Sequence, residues 1–132
     1  MIRWRIALIL WLTVILAVTT MPWRDFDGQA HWERIQWTPF PHVMSWGWGK
    51  WKERLANVAL FVPFGFLAMR ARNDRGLRAG LIISGLGFCL SGSAELFQVF
   101  TVHRFPTMTD LCTNTFGTIC GVVVAHRWSG RR

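Results

Sequence analysis

The chain predicts an all-α integral membrane protein, a four-transmembrane-helix bundle with a Trp-rich interfacial loop between helices 1 and 2. Three observations lead there. Apolar residues make up 52% of the 132 residues and gather in blocks, where a soluble domain would spread them at helix or strand period. The basic residues behind the +8 formal charge flank those blocks, as membrane topology demands. Six of the nine Trp crowd between the first and second blocks. Trp settles at headgroup level because its ring is apolar while its N–H needs a partner. A chain of this length is a single domain, 1–132.

The first span is expected at about 6–22. Arg3 and Arg5 precede it, as they would a secretory signal peptide, but no A-x-A cleavage pattern follows. It reads as an uncleaved first helix with a cytoplasmic N-terminus. Residues 23–54 carry Trp23, Trp32, Trp37, Trp46, Trp48 and Trp51, interrupted by Pro39, Pro41, Gly47 and Gly49. A short helix and an irregular loop lying on the membrane surface as an anchor fit that composition. The second span, about 55–70, contains Pro63 and Gly65, which predict a kink, and Asn57 one turn in from its start. Arg54 and Arg70 bound it and can snorkel.

Between 70 and 78 stand four Arg against one Asp, the densest positive loop, so this connection is expected in the cytoplasm. The third span, about 79–100, sets Ser84, Ser91, Glu95 and Gln98 on one helical face that lipid cannot satisfy. An outward loop then carries His103 and Arg104. Asp110 opens the fourth span, about 111–126, where the helix dipole favours a carboxylate. Asp110, Asn114, Gly117 and Gly121 share a face, and the G-x-x-x-G spacing of the two glycines allows close helix packing. Arg127, Arg131 and Arg132 place the C-terminus in the cytoplasm.

Composition excludes several classes. No Lys/Arg-rich run faces an aromatic platform, so nucleic acid is not a partner. Cys89, Cys112 and Cys120 lie inside apolar runs without a C-x-x-C pair and read as small buried residues, not as a disulfide framework or zinc site. His31 and His42 lack any metal-binding context, and no metal or cofactor is expected. A transporter would need a polar path through the bilayer, whereas the inner halves of these spans are apolar.

The topology makes a statement about depth. Asn57, Glu95, Gln98, Arg104, Asp110 and Asn114 should converge at one level in the outer leaflet, with Glu95 about 7 Å below Phe100 at 1.5 Å per residue. Scattered packing residues would have no reason to share a depth. Ionisable groups within spans are costly and mark functional sites by default. In an enzyme, Arg104 would hold a substrate phosphate bidentately, Glu95 would act as general acid or base, and Asp110 as the second carboxylate. Asn57, Gln98 and Asn114 would orient substrate, with His103 a spare proton carrier. The competing reading is a non-enzymatic membrane scaffold or binding protein, in which Glu95, Arg104 and Asp110 form a structural ion-pair network.

Asn57-Val-Ala-Leu-Phe-Val-Pro-Phe-Gly65 resembles the N-x-x-L-F-x-P-x-G motif of VanZ-like membrane proteins. Glu95, Gln98, Arg104, Asp110, Asn114 and Gly117 are similar to that family's E-x-x-Q…R…D-x-x-x-N-x-x-G signature. The match runs roughly from 55 to 121. Two positions depart from it: Thr107 stands where many members carry a second acid after the arginine, and His103 where glycine is usual. The resemblance implies a multi-pass protein of the bacterial cytoplasmic membrane. It also implies action on membrane lipid headgroups or lipid-linked cell-wall precursors, and an effect on susceptibility to the lipidated glycopeptide teicoplanin.

Overall fold

A computed structural model describes residues 1–72 and 76–129 of the chain. It is built from four α-helices: α1 (Ile2–Thr20), α2 (Trp48–Ala71), α3 (Leu77–Gln98) and α4 (Met108–Ser129). All four are long and apolar enough to cross a membrane. Among the described residues no strand forms. The inner part of the 70–78 connection and the tail arginines Arg131 and Arg132 lie outside the described residues.

The helices bury little and expose much that is apolar. The shared core consists of Ile15, Phe61, Phe64, Ala68, Met69, Ala79, Ile83 and Ala125. Ile6, Ile9, Leu10, Leu81, Leu86, Phe88, Phe116 and Val123 are exposed on the outside. Such an exterior is costly in water and natural in lipid. With no hydrophobic drive between helices in a bilayer, close backbone packing must hold them together. The most extensive pairing is α2 on α4. A Cβ added at Gly117 would sit 2.5 Å from the Val58 carbonyl oxygen, and one at Gly121 would collide with the Val62 carbonyl. Glycine at both places lets the α2 and α4 backbones touch. Helix α2 continues through Pro63 without interruption. Trp11 of α1 donates its indole N–H to the Leu60 carbonyl at 2.8 Å, three residues before that proline.

Several boundaries differ from the sequence expectation, two helix starts the most. Helix α1 starts at Ile2, ahead of 6, and α2 starts at Trp48, ahead of 55. An apolar run marks where a helix meets hydrocarbon, whereas backbone hydrogen bonding carries the helix on into headgroups and water. Lys50, Lys52, Glu53 and Arg54 therefore belong to α2 itself.

The Trp-rich segment holds three single 3₁₀ turns, Trp23–Asp25, Trp32–Arg34 and Val43–Ser45. Backbone bonds strap it along the α3–α4 connection. Asp27 and His31 donate to the Phe100 and Val99 carbonyls (3.2 and 2.9 Å), Val102 donates to Asp25 (2.9 Å), and Gln36 exchanges bonds with Pro106 and Met108 (2.9 and 3.0 Å). The Arg34 guanidinium adds a bond to the Val102 carbonyl at 2.8 Å. Within the strap, the His31 imidazole meets the Asp27 carboxylate at 2.9 Å. That bond first, and the Gln29 amide second, hold the Asp27 carboxyl below its usual range.

Candidate functional site

The site grows from the start of α4. Thr107-Met-Thr-Asp110 has the spacing of a capping box, and the Thr107 hydroxyl accepts the Asp110 N–H at 3.0 Å. In such a box the acid returns the favour by accepting the amide of the capping residue. Here Glu95 of α3 takes that amide instead, accepting the Thr107 N–H on Oε2 at 2.8 Å. The Asp110 carboxylate is thereby freed. It pairs with the Arg54 guanidinium and accepts the Asn57 amide on the same oxygen. Arg54 and Asn57 lie three apart on α2, which puts them on one face. The Arg54 guanidinium also stacks 5.7 Å over the Trp46 ring.

Arg104 turns toward α1. Its Nη2 donates to the Val18 carbonyl at 3.1 Å and to the Met21 carbonyl at 2.8 Å. Val18 lies in the last turn of α1 and Met21 follows its end, where the final carbonyls have no partner within the helix. Gln98 does the same with Nε2 to the Thr19 carbonyl at 3.3 Å. Asn114 donates to the Ser91 hydroxyl at 2.8 Å, joining α4 to α3, while its buried Oδ1 has no partner among the described residues. His103 is 74% exposed and approaches Asp25 of the strap at 3.4 Å.

Most of these side chains line one cavity of about 450 Å³. It lies where α1 and α3 end and α2 and α4 begin. Val18 and Thr19 line it from α1, Arg54, Asn57 and Leu60 from α2, Glu95 and Gln98 from α3, and Asp110 and Asn114 from α4. His103, Arg104, Phe105 and Thr107 close it from the connection. The cavity thus gathers polar groups at this end of the bundle, beside the apolar cluster of Ile15, Phe61, Phe64 and Met69.

A family model described as VanZ/LLP1 matches residues 4–129 of this sequence. The chain belongs to the VanZ/LLP1 family. Comparisons with curated proteins and with solved structures returned no match.

In this VanZ/LLP1 chain, every residue singled out from the sequence as catalytic or substrate-binding borders this polar cavity: Glu95, Arg104, Asp110, Asn57, Gln98, Asn114 and His103. The pairing among them is not the one the competing scaffold reading described. The Glu95–Arg104–Asp110 network is absent among the described residues; Arg54 replaces Arg104 as the partner of Asp110. The physical reason is that α1 ends beside Arg104 and offers two free carbonyls, whereas α2 reaches Asp110 with Arg54 already in its helical face.

Sequence reasoning missed Arg54, because the second span was ended at its apolar edge. The signal was available in the i, i+3 spacing of Arg54 and Asn57. Thr107 was noted only as a departure from the family pattern, yet its hydroxyl caps α4 and its amide holds Glu95. Among the described residues no three His, Cys, Asp or Glu side chains come together as a metal set.

Proposed function

We propose that this protein binds a phosphate-bearing lipid headgroup in the polar cavity, facing the outer leaflet of the bacterial cytoplasmic membrane, and acts on it with Glu95 as proton carrier. One observation carries the reading. The cavity brings a cation with free donors and a carboxylate without a cationic partner to the same end of a membrane bundle. Arg104 uses only Nη2 for its two bonds, so Nη1 and Nε keep donors for a phosphate. Asp110 is neutralised by Arg54, whereas Glu95 accepts a single backbone N–H and retains acceptor capacity. Proton transfer needs such a carboxylate; phosphate binding needs such a guanidinium. The buried, unpartnered Asn114 Oδ1 offers an acceptor to a headgroup hydroxyl. Action on lipid-linked cell-wall precursors at that surface would also alter susceptibility to lipidated glycopeptides.

A non-enzymatic reading has its own support, since Arg104 and Gln98 tie down α1 and Arg54 ties α2 to α4. Turnover separates the two. Purified protein in nanodiscs containing a ³²P-labelled phosphate lipid is expected to release labelled product. Glu95→Gln should lower that rate by about 10²–10⁴-fold, the usual share of a general acid or base, with lipid binding retained. Lipid bound by wild type without product would favour the scaffold, and lipid not bound at all would remove the headgroup reading.

A further inference from the structure

Beside the polar cavity lies a second one, and its walls are of opposite chemistry. It measures about 190 Å³ and is formed by Gly92 and Leu96 of α3, Leu111 of α4, and Trp32, Ile35 and Trp37 of the strap. Glu95 and Thr107 line both cavities. The 2.8 Å hydrogen bond between them is therefore the partition, polar on one side and hydrocarbon on the other.

We propose that this slot holds the headgroup-proximal methylenes of one hydrocarbon chain of the lipid whose headgroup occupies the polar cavity, so that the junction of headgroup and chain lies at Glu95 and Thr107. The inference rests on the headgroup reading above and adds the second half of the substrate. A water-soluble occupant is disfavoured, because a wet site needs several polar partners and this one offers them only at the partition. Access fits a chain as well. Leu96, Trp32 and Trp37 are 52%, 53% and 68% exposed, so the slot opens on the flank of the bundle, where α3 meets lipid. A chain enters sideways from the bilayer without leaving hydrocarbon. The strap thereby gains a role, since its two indoles and Ile35 form the wall that α3 and α4 cannot supply.

The position that controls the slot is Gly92. A Cβ there would meet only the Leu111 Cδ1, at 3.9 Å, so alanine is accommodated and a longer side chain extends beside Leu111 into the slot. Nanodiscs of phosphatidylcholine would carry either phosphatidic acid or diacylglycerol, each with the same photoactivatable diazirine near the ester end of one chain. Adducts on wild-type protein are expected at 92–111 and 32–37, about tenfold stronger with phosphatidic acid. Gly92→Leu should weaken them about tenfold, the effect of excluding roughly two methylenes from an apolar site, while Gly92→Ala leaves them unchanged. Leu96→Trp, on the exposed rim, gives the same loss without touching the core. Arg104-dependent capture of phosphatidic acid with adducts elsewhere, untouched by either variant, would overturn the slot and keep the headgroup reading. Slot adducts equal for both lipids and indifferent to Arg104→Gln would overturn the headgroup reading, and the proposal with it.

Discussion

Thr107 caps α4 with its hydroxyl and holds Glu95 with its amide, and this division of labour decides which carboxylate is free. Asp110 goes to Arg54 and Asn57, so the strongest coupling in the cavity should run between α2 and α4. Removing one partner of a well-buried pair costs about 3–5 kcal/mol. Both side chains here keep some water, at 16% and 18% exposure, and the cost should be smaller. A thermal-unfolding cycle of Arg54→Met and Asp110→Asn in detergent is expected to give a coupling of roughly 0.5–3 kcal/mol. The cycle of Arg104→Gln with Asp110→Asn should show a clearly smaller coupling, because among the described residues the two share no hydrogen-bond partner. Equal coupling in both cycles would restore the ion-pair triad of the scaffold reading.

At the scale of elements, α2 and α4 are held by backbone proximity, and this was legible in the sequence. The G-x-x-x-G spacing at Gly117 and Gly121 marks it, and the structure gives the partners as the carbonyls of Val58 and Val62. Gly85 provides the contrast, since nothing lies within 4 Å of a Cβ placed there. Gly121→Ala is expected to cost about 1–3 kcal/mol by overpacking, and Gly85→Ala to stabilise by about 0.5–1 kcal/mol as a helix-interior glycine. Midpoints of unfolding in the same detergent would check both; similar values for the two would mean that α2 and α4 stand further apart.

Other features of these elements could not be read from the residues alone. Hydropathy ends at Arg54, but the helix does not, because a charged residue at a membrane edge keeps its backbone bonds. The strap is held by amide–carbonyl bonds between two loops, from Asp27–Phe100 to Gln36–Pro106. Such bonds leave no side-chain pattern. The same holds for Arg104, whose acceptors are the unpaired carbonyls of α1, a property of where a helix stops rather than of any residue type.

The whole molecule is a bundle with an apolar flank and a polar cavity between the helix ends on one side. That asymmetry fixes where it can act once its orientation is known. From the arginines at 3–5, 70–78 and 127–132 we propose that both termini face the cytoplasm and the cavity end faces out. On that orientation the headgroup site, the lateral slot and the Trp strap lie at the outer surface, level with the headgroups from which a substrate would come. Alkaline-phosphatase fusions test this most directly. Fusions after Trp37 and Phe105 are expected to be active and fusions after Arg72 and Trp128 inactive, whereas the reverse pattern would put the cavity at the inner leaflet and contradict the account.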